Sequence, residues 1–184
     1  MIELLVVLAI VGVLLTLAAS DLSQLRGRYK MNGAARQFAK TVELTRVRAI
    51  TDNREYALVL MEFDPTPLDG DVLSNHGKYE LRSGDSLRNS ANWEPEVDGT
   101  VDLYNGPGKW IGVSIDEWAP INGPLNYNFP NAMVFSPRGY MVNDPADFAD
   151  GVIRVVFRNK HSRFPEARVV RVDLGGGTQI AQTE

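Results

Sequence analysis

Residues 4–19 form one apolar run in which Thr16 is the sole polar side chain and no charge occurs. Taken with Ile2, the run would reach about 27 Å as a helix at roughly 1.5 Å per residue, close to the thickness of a bilayer core. After Asp21 the pattern changes. Ala35, Phe38, Val42, Thr45 and Ala49 recur at spacings of three and four, which places them on one helical face turned to a core. Arg26, Arg28, Lys30, Arg36, Lys40, Arg46 and Arg48 fill other positions, where they would meet solvent, acidic headgroups or neighbouring subunits. The helix is predicted to stop near Asp52 and Asn53, because residues 55–61 are rich in strand formers and flanked by turn residues.

Further along, strand-like runs recur between turn clusters at 78–82, 101–104, 110–115, 133–135, 140–142, 152–158 and 168–174. Short strands without further helical periodicity predict an antiparallel sheet. Ser136-Pro137-Arg138-Gly139 has proline second and glycine fourth, the pattern of a type I turn, so a hairpin is expected there. The reading is α+β: a long N-terminal helix, its first half hydrophobic, packed on a C-terminal antiparallel β head. The chain divides into a hydrophobic helix of near-transmembrane length at 1–25, an amphipathic continuation at 26–54 and a β-rich head at 55–184.

The bulk composition changes this picture little. With 44% hydrophobic and 23% charged residues in 184, the chain suits one ordinary folded domain. A net charge of -4 argues against a protein that coats nucleic acid generally, although a local basic face remains compatible with it. The absence of cysteine excludes disulfides, thiolate metal sites and a cysteine nucleophile.

The apolar run has three readings: a removable signal, a plain membrane anchor, or a helix that both anchors and assembles. No basic residue precedes Ile2, which disfavours a signal peptide, while Ala18, Ala19 and Ser20 leave cleavage open. Glu3 decides among them. A carboxylate drawn toward mid-bilayer costs on the order of 2.5 to 3.5 kcal/mol and demands a functional partner, whereas at the interface it costs little.

The opening Met1-Ile2-Glu3-Leu4-Leu5-Val6-Val7-Leu8-Ala9-Ile10-Val11-Gly12 resembles the processed N-terminus of type IV pilins and type II secretion pseudopilins. In that family a basic leader ending in glycine is removed by prepilin peptidase, and the mature chain begins with an N-methylated aromatic residue. The resemblance implies that Met1 stands where the family has leucine, and that the start lies inside the precursor. It also implies that Glu3 pairs with the amino terminus of a neighbouring subunit and sets axial register in a filament core. Gly12 weakens the helix by about 1 kcal/mol relative to alanine; it would admit a close neighbouring helix or local unwinding, or is simply tolerated. Ser20 stands where the family often has a helix-distorting proline. Phe135-x-Pro137-x-Gly139 and the helix ending Arg46-x-x-Ala49-Ile50 resemble the GspH/FimT-type minor pilins and pseudopilins.

The resemblance implies a structural subunit of a type IV pilus-like or type II secretion filament. Its partners would be other pilin or pseudopilin subunits, the inner membrane before assembly, and prepilin peptidase. Its place would be the inner membrane as a precursor, then a periplasmic or extracellular filament.

Catalytic constellations are missing: His76 and His161 sit in polar turn-like contexts, and no hydrolase, zincin or nucleotide-binding motif occurs. No enzyme activity and no cofactor are expected. Gly175-Gly176-Gly177 lacks a following helix and lysine, so it reads as a hairpin turn. Two acidic loops, Asp64, Asp69 and Asp71, and Asn143, Asp144, Asp147 and Asp150, offer oxygens to calcium without the spacing of a known calcium loop. Solvated turns are the default there. Charge concentrates in Arg154, Arg158, Lys160, Arg163, Arg168 and Arg171, six cations against the single acid Glu166. With Ile153, Val155 and Phe157 inward, Arg154, Arg158 and Arg171 would point outward. A basic C-terminal region of this kind resembles that of FimT-type minor pilins that capture DNA. The alternatives are a DNA-binding stripe and a face that pairs with acidic filament neighbours.

Overall fold

The structure, a computed structural model, describes residues 2–61, 77–103, 113–118, 132–143, 151–159 and 167–182. Helix α1 runs Ile2–Thr51, 50 residues without a proline, and so extends about 75 Å at 1.5 Å per residue. It ends as the sequence predicts. Asn53 takes a left-handed φ of 51°, Arg54 N–H returns to the Ala49 carbonyl and Asp52 N–H to that of Arg48. These bonds satisfy carbonyls that the last turn would otherwise leave open.

Eight strands follow among the described residues: β1 Tyr56–Leu60, β2 Lys78–Gly84, β3 Trp93–Asp102, β4 Val113–Trp118, β5 Ala132–Phe135, β6 Val152–Asn159, β7 Ala167–Asp173 and β8 Thr178–Gln182. They form two four-stranded antiparallel sheets, ordered β3-β2-β1-β5 and β4-β6-β7-β8. The face predicted from helical spacing is the one that docks. Ala35, Phe38, Val42, Thr45 and Ala49 are all buried. Phe38 meets Tyr79 of the first sheet edge-on at 5.3 Å and Phe157 of the second at 5.4 Å. One aromatic ring on the helix thus joins both sheets into a single core with Leu58, Leu81, Met133, Phe135, Ile153, Val155 and Val170. Truncating such a ring costs about 3 to 5 kcal/mol.

β1 is buried along its whole length. Tyr56, Leu58 and Leu60 join the main core, whereas Ala57 and Val59 form a second cluster with Ala132, Val134 and the partly buried Trp93. That two-sided burial explains the unbroken run of apolar residues in the strand.

Three expectations need correction. β3 starts at Trp93, not near residue 101, and its first seven residues include Glu94, Pro95, Glu96, Asp98 and Gly99, all poor strand formers. It is an edge strand, where proline is tolerated, and its pairing slips between Glu80 and Arg82 of β2 so that residues 96–99 bow out. Residues 140–142 make one isolated bridge, Met141 to Phe135, in place of a strand. β8 follows the glycine turn and pairs with β7, an element the sequence reading omitted.

Candidate assembly helix and basic face

The first turns of α1 stand apart from the head. Ile2 is 79% exposed, Leu4 67% and Val13 61%, and Val6, Val7, Leu8, Ile10, Val11 and Leu14 are exposed beside them. Ala9, Ile10, Val13 and Leu14 line a shallow apolar groove. Gly12 lies on this stretch, and a Cβ added there would meet nothing within 4 Å. Glu3 occupies the first turn, where a negative charge suits the positive end of the helix dipole. Among the described residues no helix is long and apolar enough to cross a membrane.

The basic residues divide. Arg154 and Arg171 are exposed and directly opposed on β6 and β7, with Gln179 of β8 next to Arg171. Like charges in that relation repel. Arg158 is exposed on the same strand as Arg154, opposite Ala167. Arg168 does not share their face: it is 6% exposed, its Nε–H donates to Asn32 Oδ1 of the helix at 2.5 Å, and its Nη1 donates to the Ala167 carbonyl at 3.2 Å. The period of two turns it toward α1, because Phe157, its partner across the ladder, also faces the core. Lys160 and Arg163 lie outside the described residues.

Asp64, Asp69, Asp71, Asp144, Asp147 and Asp150, with His76 and His161, also lie outside them. Asn143 is described, and it is buried. Its Oδ1 accepts from Val134 N–H at 3.0 Å and its Nδ2 donates to the Ala132 carbonyl at 2.7 Å. The side chain therefore serves the edge of β5. Among the described residues no cluster of His, Asp or Glu is arranged to hold a metal.

The two motifs at the helix end and the β5 turn meet in space. Arg46 Nε–H donates to the Gly139 carbonyl at 2.9 Å, and Ile50 lies where a Cβ on Gly139 would strike its Cδ1 at 2.6 Å. The same Arg46 side chain runs beside Gly176, 2.8 Å from where its Cβ would stand, in the turn between β7 and β8. Gly139 and Gly176 both have left-handed φ, 79° and 76°. Met141 N–H donates to the Leu174 carbonyl at 2.9 Å, tying the two turns together.

Sequence reasoning missed Glu55. It is buried, and its two oxygens accept from Asn89 N–H at 3.2 Å and Ser90 N–H at 2.9 Å, folding the β2–β3 loop against the helix end. The available signal was an acid flush against the apolar strand YALVL. Arg48 of the last helical turn pairs with Glu96 of the β3 bulge at 3.2 Å.

This assembly of helix end, glycine turns and two sheets coincides with a known family. The family model described as Type II transport protein GspH matches residues 34–176. The chain belongs to the GspH family. The matched span covers α1 from Ala34 to its end, Arg46, Gly139 and Gly176. Two solved structures of the minor pseudopilin EpsH from the type 2 secretion system of Vibrio cholerae are similar in fold. One is 12% identical with a TM-score of 0.51, covering 83% of this chain and 97% of that chain. The other is also 12% identical with a TM-score of 0.52, covering 84% and 96%. The type IV minor pilin FimU from Pseudomonas aeruginosa strain PAO1 is 11% identical over 84% of this chain and 90% of its own, with a TM-score of 0.47. No curated protein matches significantly. As a GspH-family member the chain is a structural protein of the pseudopilin kind, not an enzyme.

Proposed function

We propose that this GspH-family subunit assembles through helix α1 into a type II secretion pseudopilus or a type IV pilus-like filament. The carrying observation is a single helix whose far half is buried in the head while its first turns present Ile2, Leu4, Val6, Val7, Leu8, Ile10 and Val13 outward. Apolar surface of that extent requires lipid or sister helices around it. Before assembly the apolar turns hold the precursor in the inner membrane, where prepilin peptidase matures it; afterwards the filament is periplasmic or extracellular. Glu3 is then buried among neighbouring helices and pairs with a neighbour's amino terminus, a strong interaction at low dielectric. Gly12, with open space over it, lets another helix approach closely. The test is Glu3→Gln in cells: membrane insertion should persist while recovery in sheared filaments falls at least tenfold. Undiminished incorporation would overturn the reading.

A second reading, that the head captures DNA, is favoured by Arg154, Arg158 and Arg171, which are exposed on neighbouring strands of one sheet. Phosphates bridging Arg154 and Arg171 would relieve their mutual repulsion. Arg168 is excluded from that surface by its burial. Binding of the full chain to duplex DNA that weakens with salt, and is lost in Arg154→Glu with Arg171→Glu, is expected under this reading. Absence of binding at low salt would remove it.

A further inference from the structure

Residues 22–42 of α1 hold five cations, Arg26, Arg28, Lys30, Arg36 and Lys40, and no acid, in a chain whose net charge is -4. Asp21 and Glu43 bound the stretch. Burial fixes its orientation. Met31, Ala34, Ala35, Phe38 and Val42 face the head, so Arg28, Tyr29, Arg36 and Lys40 are turned outward, Tyr29 with 72% exposure. At 3.6 residues per turn, Tyr29, Arg36 and Lys40 fall within an arc of roughly 40°.

We propose that this face docks on an anionic lipid surface before assembly, with Tyr29 at headgroup level and Arg36 and Lys40 over acidic headgroups. The inference rests on the membrane-anchored reading above and adds an orientation to it. Charge complementarity carries it: the same surface that attracts this stretch repels the acidic remainder of the chain, so the head is held with one side down. Tyrosine suits the boundary because its ring is apolar and its hydroxyl polar. Reach is sufficient. Tyr29 lies about 14 Å along the helix from Ser20, and Arg36 about 24 Å. Helix tilts of up to roughly 40° and long basic side chains bring Arg36 within a Debye length, about 8 Å, of the lipid surface. Lys40, about 30 Å along, contributes less.

The chain has no cysteine, so one introduced thiol labels one place. Full chain carrying Gly33→Cys or Leu8→Cys, each with a fluorophore, is placed in lipid nanodiscs of phosphatidylcholine alone or with about one-third phosphatidylglycerol, and quenching by headgroup-borne acceptors is read. The label at Gly33 should approach the headgroups in anionic discs alone and withdraw in molar salt. Arg36→Gln with Lys40→Gln should lower the docked-to-undocked ratio by more than about fivefold but less than about 25-fold, with about fivefold from Arg36 and less from the more distant Lys40. If Leu8 is buried in hydrocarbon but Gly33 is indifferent to lipid charge, the docking proposal fails and the anchor stands. If Leu8 remains in water, the anchor reading fails as well. If the double variant loses filament incorporation with Gly33 quenching unchanged, the face belongs to a neighbouring subunit and the proposal is overturned.

Discussion

Arg46 Nε–H donates to the carbonyl oxygen of Gly139 at 2.9 Å across 93 residues of sequence. The bond fastens the last turns of the helix to the first sheet, while the same side chain covers Gly176 of the second.

That double role gives a coupled prediction. Gly176→Ala forces a left-handed residue and a clash with Arg46, and should cost about 2 to 3 kcal/mol. Arg46→Ala loses a hydrogen bond and packing, about 1 to 3 kcal/mol. Together they should cost less than their sum by about 0.5 kcal/mol, because the shortened side chain removes one of two clashes, the other being with Phe135 Cε1, also 2.8 Å from where the Cβ would stand. Urea denaturation of the four species measures the coupling; strict additivity would show that the two do not interact.

The buried Glu55 carboxylate gathers the amides of Asn89 and Ser90. Glu55→Ala leaves both N–H groups without their acceptor and should destabilise by about 2 to 3 kcal/mol. Glu55→Gln, which keeps one acceptor oxygen, should cost less. Hydrogen exchange at the Asn89 and Ser90 amides should accelerate in both variants, and unchanged protection would count against the anchor role.

Tyr79 is buried with no hydrogen-bond partner for its hydroxyl. Burial pushes its ionisation up to about 12 from the ordinary 10.0, offset only in part by Thr41, whose own hydroxyl donates to the Gln37 carbonyl. The folded state then holds that proton more tightly than the unfolded chain. Its contribution is complete below pH 10 and declines as pH rises from there to about 12. Tyr56, held neutral by desolvation and then by its bond to Asp52, acts in the same direction. Tyr79→Phe should therefore flatten part of the alkaline loss, and at neutral pH should raise stability by up to about 1 kcal/mol through removal of the unpaired hydroxyl. A variant as alkali-sensitive as the parent would contradict this.

The arginines of β6 and β7 should separate by burial. Arg168→Ala strands Asn32 Oδ1 and should cost about 2 to 3 kcal/mol. Arg171→Ala, exposed opposite Arg154, should change stability by no more than about 0.5 kcal/mol. Equal effects in thermal melts would refute the assignment of faces.

The helix, its stop at Asp52 and Asn53, and the inward set Phe38, Val42 and Ala49 were legible because a period of 3.6 survives wherever one face is buried. The outward placement of Arg154 and Arg171 followed from the period of two. Arg168 did not, since charge alone gave no sign that a buried guanidinium has a partner on α1. β3 was illegible for a different reason: its pairing with β2, not its own composition, makes Glu94, Pro95 and Glu96 extended. The joining of two sheets into one core rests on Phe38 and on the Met141–Leu174 bond, long-range contacts that no local pattern encodes.

Both margins of the first sheet are closed to further strands. On β5, Val142 N–H and the Asn143 amide occupy the outward groups of Val134 and Ala132; on β3, Pro95 and the bowed residues 96–99 spoil the template. A second copy of the chain thus finds no ladder to extend on that sheet, and amyloid-like stacking is blocked there. Whatever recognises this sheet must do so through shape and side chains, so specificity there lies in the residues of its faces and not in backbone pairing.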